Sequence, residues 1–590
     1  MKKKLLLVTM IAVFAIMSPG CRKPGKEEAS KEVTYDPKTD PLVNPPSLFA
    51  PPPQDLSQIA SDETLVLHMN GSPNTLNPLF VSSMVEFTVV DCLYEGLFTF
   101  YKDMKWALNE EIVDTYEESP DHTTFIVKIK PGFTWEDGVP LTAHDVVYSW
   151  QQVLDPQVPC QTQKASTEPI KECIALDDLT VKFVQPEALA TGRWNLLFPI
   201  IPRHIYEKDK SNNPDLKSGP YYNQQARHPV SSGPYKLIEW KENDRIVVER
   251  RENFKGKKPF FKRIIFKIIP DQNVSLLAFE KQSVDVIDRL SAQQFARETN
   301  SETFARVGYK AWGTEWSFSY IGWNMDGSNP FFQDKRVRYA MTHAFNYPLI
   351  RQKISYNLTT PCYGIFHPDS WMYNPEVKPL TYDPIKSAAL LDEAGWKVDP
   401  QAGWRYKEIN GQKIKFSFTL TFAQGSTTAA KMAAIFQEDL KRLGVEMKTR
   451  ELEWATFIEK IQSHEFQAET ASWGTGTDPD TNWNLWRTEE YQTGRNYGGY
   501  SNPRVDKLFV EGRREFNFEK RRKIYQEIHQ LIYDDQPYTF ISNAPILAVF
   551  NKRLQGVQFS PRGIYGFNPS FYEWWVAKGK AKYPTAQPTP

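Results

Sequence analysis

Residues 133–150 read FTWEDGVPLTAHDVVYSW, and they hold three carboxylates (Glu136, Asp137, Asp145), His144 and two tryptophans. Acids beside an imidazole are the raw material of general acid–base chemistry. The spacing supplies another account. Thr142 followed three residues on by Asp145 is a capping box, and it opens a helix carrying Val146, Val147, Trp150 and Leu154 at core-like spacing. Glu136-Asp137-Gly138 is turn chemistry between a strand and that helix. The acids then serve local backbone geometry, and the stretch is strand, turn and helix rather than a catalytic centre.

Its surroundings continue that alternation. Phe125, Val127 and Ile129 alternate in TTFIVKIK, a half-buried strand, and LTVKFVQP (179–186) repeats the pattern. Earlier, TLVLHMN has strand character, SPNTLNP is turn chemistry, and MVEFTVVDCLYEGLF is a helix leading to the next strand. SSGPYKLIEWKENDRIVVERREN predicts two strands joined by a polar turn, and FKRIIFKIIPDQNVSLLAFEKQSVDVI a strand, a helix and a strand. Further on, WSFSYIGWNM is a strand and DKRVRYAMTHAFNYPLIRQKI a helix. Asp383, Pro384 and Gly395 supply the cap, first turn and stop of the next helix. KIKFSFTLTFA, TAAKMAAIFQEDLKRLG and VEMKTREL follow as strand, helix and strand. This order points to α/β packing.

A chain of 590 residues exceeds one compact core, and roughly two to four domains are expected. Apolar residues make up 41% and aromatics 14%, enough for packed globular domains. Lys+Arg and Asp+Glu are 71 each, so the basic excess of a nucleic-acid partner is missing. No CxxC, HxH, HExxH or G-x-S-x-G appears, so neither a metal site nor an exported hydrolase finds a motif, although the hydrolase stays open as a reading of another class.

The N-terminus predicts export. Lys2, Lys3 and Lys4 precede the apolar run LLLVTMIAVFAIM and then SPGC, which is the layout of a secretory signal peptide over residues 1–20. Cys21 after Gly20 resembles a bacterial lipoprotein cleavage site, with Ser18 where that pattern prefers Leu. This implies lipidation at Cys21 and a periplasmic or cell-surface location. Residues 21–60, charged and Pro-rich, read as an extended tether. In an exported chain disulfides are permitted, and Cys160–Cys173 is the expected pair, with Cys92 a buried thiol. The pairing of Cys92 and Cys362 stays open.

Several segments in order resemble the solute-binding proteins of ABC importers, specifically the oligopeptide/dipeptide-binding family. They are the opening stretch, TLNPLF with LYEGLF, SSGPYKL, DKRVRYAMTHAFN, YDPIKSAALLDEAGW, WGTGTDPD and YSNPRVDKLFVEGRREFNFEKRRKIYQEIHQLIYDDQPY. The resemblance implies an α/β, two-lobe periplasmic-binding-protein fold with a third domain. Lobe I would be 61–90, 213–310 and 536–590, the extra domain 91–212, and lobe II 311–535. It implies a monomeric receptor, not an enzyme, without cofactor, that binds peptides and delivers them to permease subunits. A non-peptide solute or a sensory ligand is the alternative.

The resemblance also nominates residues. Ser82, Ser83 and Met84 would offer backbone to a bound peptide in strand-like pairing. Tyr320, Trp454 and Trp473 would line the pocket, and Gly474, Thr475 and Gly476 would let backbone approach the ligand. Gly476 stands closest to the family's amine-binding aspartate. Asp478 and Asp480, slightly later, either face a cationic group or cap the next helix. Arg487 and Arg495 either meet a carboxylate or lie on the surface, and surface placement is the expected reading.

Overall fold

Two strands organise the chain: Gly308–Trp323, of 16 residues, and Tyr538–Asn551, of 14. They pair antiparallel along most of their length and form the middle of an 11-stranded sheet. The computed structural model describes residues 35–81, 83–158, 160, 163–209 and 220–582. The expected signal peptide, Cys21, the first part of the expected tether and Ser82 lie outside the described residues.

One half of the sheet lies beyond the N-terminal end of the first crossing strand. There Thr64–Met69 runs parallel to Arg263–Ile268 and to Val286–Ile287, and Arg245–Arg250 and Tyr235–Lys241 extend it antiparallel. On the other half Ala468–Gly474 pairs with the first crossing strand, Ser417–Ala423 lies parallel to it, and Glu446–Leu452 forms the edge. Each half closes over its own apolar cluster, one around Leu65, Phe266 and Trp574, the other around Trp323, Phe418 and Phe436. Register shifts interrupt the crossing pair between Thr314 and Phe318, so residues 315–317 bulge where the sheet passes from one half to the other.

A separate four-stranded antiparallel sheet, Val113–Glu118, Thr124–Ile129, Thr180–Val184 and Glu172–Ala175, carries the third cluster with the helix Ala143–Leu154. Residues 133–150 take local roles here. The Thr142 N–H donates to Asp145 Oδ2 at 2.8 Å, closing the capping box, and Asp145 Oδ1 accepts from the Arg203 N–H at 3.0 Å. Glu136 accepts the Ser231 N–H and hydroxyl at 3.1 and 2.5 Å, and Asp137 meets His204 at 2.7 Å. Arg251 donates to the carbonyls of Ser231, Gly233 and Thr134, so SSGPYKL and the opening stretch are fastened to each other. Asp383 accepts the Lys386 N–H at 2.9 Å, and Gly395 takes φ +87° where that helix ends.

Two expectations are corrected. Cys160 and Cys173 are free, buried thiols, as are Cys92 and Cys362. Cys160 donates instead to Gln163 Oε1 at 3.3 Å, so the expected disulfide is absent. Nor are residues 35–60 a tether. Val43 bridges Lys310, and the Asn44 side chain takes both main-chain groups of Trp312, at 2.7 and 3.0 Å. Leu48 is fully buried, and Lys310, with a side chain 0% exposed, bonds Asp40 at 2.8 Å, Asn300 Oδ1 at 2.9 Å and the Phe295 carbonyl at 3.1 Å. Few but well-spaced anchors hold a Pro-rich segment whose local pattern shows no element. Among the described residues no helix is long and apolar enough to cross a membrane.

Candidate ligand-binding site

Strand alternation builds the site. Across the antiparallel ladders Trp473 lies opposite Phe318, Ala471 opposite Tyr320, and Glu469 opposite Gly322, which in turn faces Tyr538. Directly opposed residues share a face, so Glu469, Trp473, Phe318, Tyr320, Tyr538 and Phe540 make one aromatic floor on three neighbouring strands. Tyr320 is 2% exposed and stacks on Tyr538 at 4.1 Å and 15°, and on Trp473 at 6.2 Å and 8°. The Trp473 indole N–H donates to the Tyr538 hydroxyl at 3.3 Å. Each such stack adds about 0.5–1.5 kcal/mol beyond the area it buries, which holds the half-buried Trp473 in a fixed plane.

Gly322 makes the convergence possible. A Cβ there would sit 2.6 Å from Glu469 Oε1, 3.1 Å from Tyr320 Cε2 and 3.3 Å from Tyr538 Cε1. Its missing side chain is the space into which the acid and both rings lean. Burial pushes the Glu469 carboxyl up to about 8, against the Tyr320 hydroxyl bonded to it, which acts to lower it. Glu469 Oε2 is buried without a hydrogen-bond partner among the described residues. A protonated carboxyl is the form that suits such a place.

At the edge of the floor, Thr475 hangs by its N–H and its hydroxyl on the Trp316 carbonyl, at 2.8 and 3.0 Å. The Trp316 N–H donates to the Pro561 carbonyl at 2.7 Å. The loop after Trp473 therefore sits at the bulged crossing, between the two halves of the sheet. Gly474 is exposed there, and a Cβ on it would meet nothing within 4 Å. Gly476 is half-buried.

Other nominated residues sit elsewhere or are already engaged. Asp478, 4% exposed, is gripped by both terminal nitrogens of Arg521 at 2.6 and 2.9 Å. Its carboxylate is a partner inside the protein, which corrects its assignment to a ligand's cationic group. The main chain of Asp480 lies in the 3-10 turn Pro479–Asn482 and that of Trp454 opens the helix Trp454–Gln462, while both side chains lie outside the description. Ser83 caps the helix Met84–Leu93: its N–H donates to Glu86 Oε2 at 3.0 Å, and its carbonyl accepts from Phe87 at 3.0 Å. Ser83 thus has no main-chain N–H to offer a ligand strand, and Met84, 48% exposed, is already the first helical residue. This corrects the expectation of strand-like pairing at Ser83.

Glu469, Phe318, Tyr538 and Phe540 of the floor, and Tyr497 beside it, were not singled out in the sequence. Glu469 is visible in retrospect, because a period of two from Trp473 places it on the same face. Tyr497 packs 6.1 Å from Trp473, and Arg495, read from sequence as a surface residue, lies over the Trp473 ring at 5.4 Å. Nothing local in GRNYGG announces either one. Arg487 is also turned inward, over Trp483 at 4.5 Å and paired with Glu489 at 2.7 Å. Among the described residues no group of three or more His, Cys, Asp or Glu is placed to hold a metal ion.

Known proteins share this architecture and resemble this sequence along most of its length. Oligopeptide-binding protein AppA of Bacillus subtilis is 28% identical over 535 residues, covering 87% of this chain and 92% of AppA. The Dipeptide-binding protein of Escherichia coli is 24% identical over 531 residues, 86% of this chain and 94% of its own. The solved structure of B. subtilis AppA in complex with a nonapeptide superposes with a TM-score of 0.75 at 27% identity, covering 87% of this chain and 99% of that one. Residues 107–494 match the family described as bacterial extracellular solute-binding proteins, family 5 Middle. With two lobes, an extra domain and a match across most of its length, the chain belongs to the family 5 bacterial extracellular solute-binding proteins.

Proposed function

We propose that this chain is the lipid-anchored receptor of an ABC importer, capturing short peptides between its lobes and delivering them to a membrane permease. The observation that carries this reading is the bulge at residues 315–317 beside the aromatic floor. Paired strands that lose register where they pass between two separately packed halves form a joint, and the floor lies where closure would bring the other half over it. Ligand that touches both halves only when they are shut favours the shut state, with no bond made or broken. The likeness to proteins named for oligopeptides and dipeptides supports peptide as the solute class.

In this reading the domain boundaries are lobe I at 61–90, 213–310 and 536–590, the extra domain at 91–212 and lobe II at 311–535. Residues 35–60 join lobe I, whose cluster takes in Leu48. The protein acts as an exported monomer, anchored through Cys21 at the cell surface or in the periplasm. Trp473, Tyr320, Gly474, Thr475 and Gly476 line the site, and Trp454 and Asp480 remain assigned to it. The test is native mass spectrometry of protein purified without unfolding. A heterogeneous set of short peptides is the expected cargo, and a single sugar or metal complex would defeat the peptide assignment.

A further inference from the structure

The floor is not electrically neutral, and its sign follows from how each neighbouring charge is occupied. Arg495 lies half-buried with its guanidinium 5.4 Å over the Trp473 ring. It donates to Asn484 Oδ1 at 3.1 Å, and among the described residues it forms no ion pair. Its neighbours differ: Arg487 pairs with Glu489, and Arg521 holds Asp478 in a fork. A guanidinium has five N–H donors in a planar array matched to a carboxylate. Arg495 therefore keeps donors without a protein acceptor beside the exposed edge of the floor.

No acid among the described residues forms an ion pair with it. Asp478 is held by Arg521. Glu490 lies near enough to be felt by Arg495 but makes no ion pair with it, and burial draws the guanidinium below its ordinary value. Glu469, on the floor itself, is kept protonated at neutral pH by burial. The loop 474–477, Gly-Thr-Gly-Thr, brings no charge. Among the described residues what remains on the floor is a cation stacked on an indole, at a place where partial desolvation makes a missing counter-ion unfavourable.

We propose that this edge of the floor is an anion subsite, where a carboxylate of the ligand seats on the Arg495 guanidinium above Trp473 and a cationic group is repelled. The inference rests on the peptide reading given above. A peptide can supply the carboxylate from an acidic side chain or from its free C-terminus.

Calorimetric titration with four peptides separates these sources: Ala-Ala-Glu-Ala-Ala amide against Ala-Ala-Gln-Ala-Ala amide, and penta-alanine as free acid against its amide. In at least one pair the wild type is expected to bind the carboxylate member about tenfold tighter or more. The pair that shows it identifies the source. Arg495→Gln is expected to bring that ratio close to one, while Arg495→Lys keeps part of it, since a point charge replaces the fork. Equal binding within both pairs by the wild type overturns the anion subsite and leaves the peptide reading standing. A ratio that survives in Arg495→Gln also overturns it. If the wild type binds none of the four, the peptide reading fails and this inference fails with it. The wild-type comparison needs no variant, so a poorly folded Arg495→Gln cannot shelter the proposal.

Discussion

Replacing Asp478 by Asn separates a structural acid from a ligand-binding one. The carboxylate is 4% exposed and accepts two bonds, at 2.6 and 2.9 Å, from a guanidinium that is itself 8% exposed. Arg521 lies 5.5 Å over Trp371 and 5.2 Å over Tyr525, and donates to the Gly512 carbonyl at 2.9 Å. Without the acid's charge, that cation stays enclosed among rings with its counter-ion gone. Deleting one partner of a buried pair costs about 3–5 kcal/mol, and because the amide oxygen can keep one of the bonds, about 3 kcal/mol is expected here. For a cooperative unit of about 200 residues this lowers the melting temperature by about 6–12 °C. Asp478→Leu combined with Arg521→Met removes both charges and should recover most of the loss, a non-additivity that a double-mutant cycle measures. The assay is thermal unfolding of ligand-free protein followed by circular dichroism. An Asp478→Asn protein that melts with the wild type yet binds peptide more weakly would refute the reasoning and return Asp478 to the ligand.

Glu469 makes stability depend on pH in a stated direction. Its folded value is raised from 4.5 to about 8, so between those values the folded chain keeps a proton that the unfolded chain has lost. Stability contributed at this site therefore falls as pH rises through that window and levels off above it; Glu469→Gln should flatten the slope, and melting curves that keep the wild-type pH dependence would disprove this. Removing the acid beside Lys310, as Asp40→Asn, leaves a fully buried ammonium with the Phe295 carbonyl, Asn300 and the Tyr35 hydroxyl as neutral polar partners. Amide exchange at residues 308–312 should quicken as the 35–48 segment loosens, and unchanged protection there would mean the segment does not brace the crossing strand. In denaturant without reductant, Cys92, Cys160, Cys173 and Cys362 should all be alkylated. A mass showing two of them protected would restore the Cys160–Cys173 disulfide.

These outcomes turn on what a linear pattern can and cannot carry. Caps and alternation are local, so Thr142 with Asp145, Asp383 with Gly395, and Phe125-Val127-Ile129 were readable and recur in the structure. The crossing strand was legible only as WSFSYIGWNM, which runs past its end at Trp323 and misses its first half, because the polar Gly313-Thr314-Glu315 breaks the alternation just where the sheet bulges. The 35–60 segment failed for a related reason: Leu42-Val43 and Leu48-Phe49 are short apolar pairs without periodicity in a Pro-rich run, and the partners of Val43 and Leu48 lie hundreds of residues away. Asp478 looks in sequence like a cap or a ligand contact, and what overrides both is Arg521, 43 positions later on the helix Phe518–Asp535. Arg495 is the mirror case, an exposed-looking charge that the fold lays on Trp473. The acids of this site are consumed, Asp478 by an ion pair and Glu469 by a proton, and the arginine whose expected place was the surface is the charge left to meet a ligand.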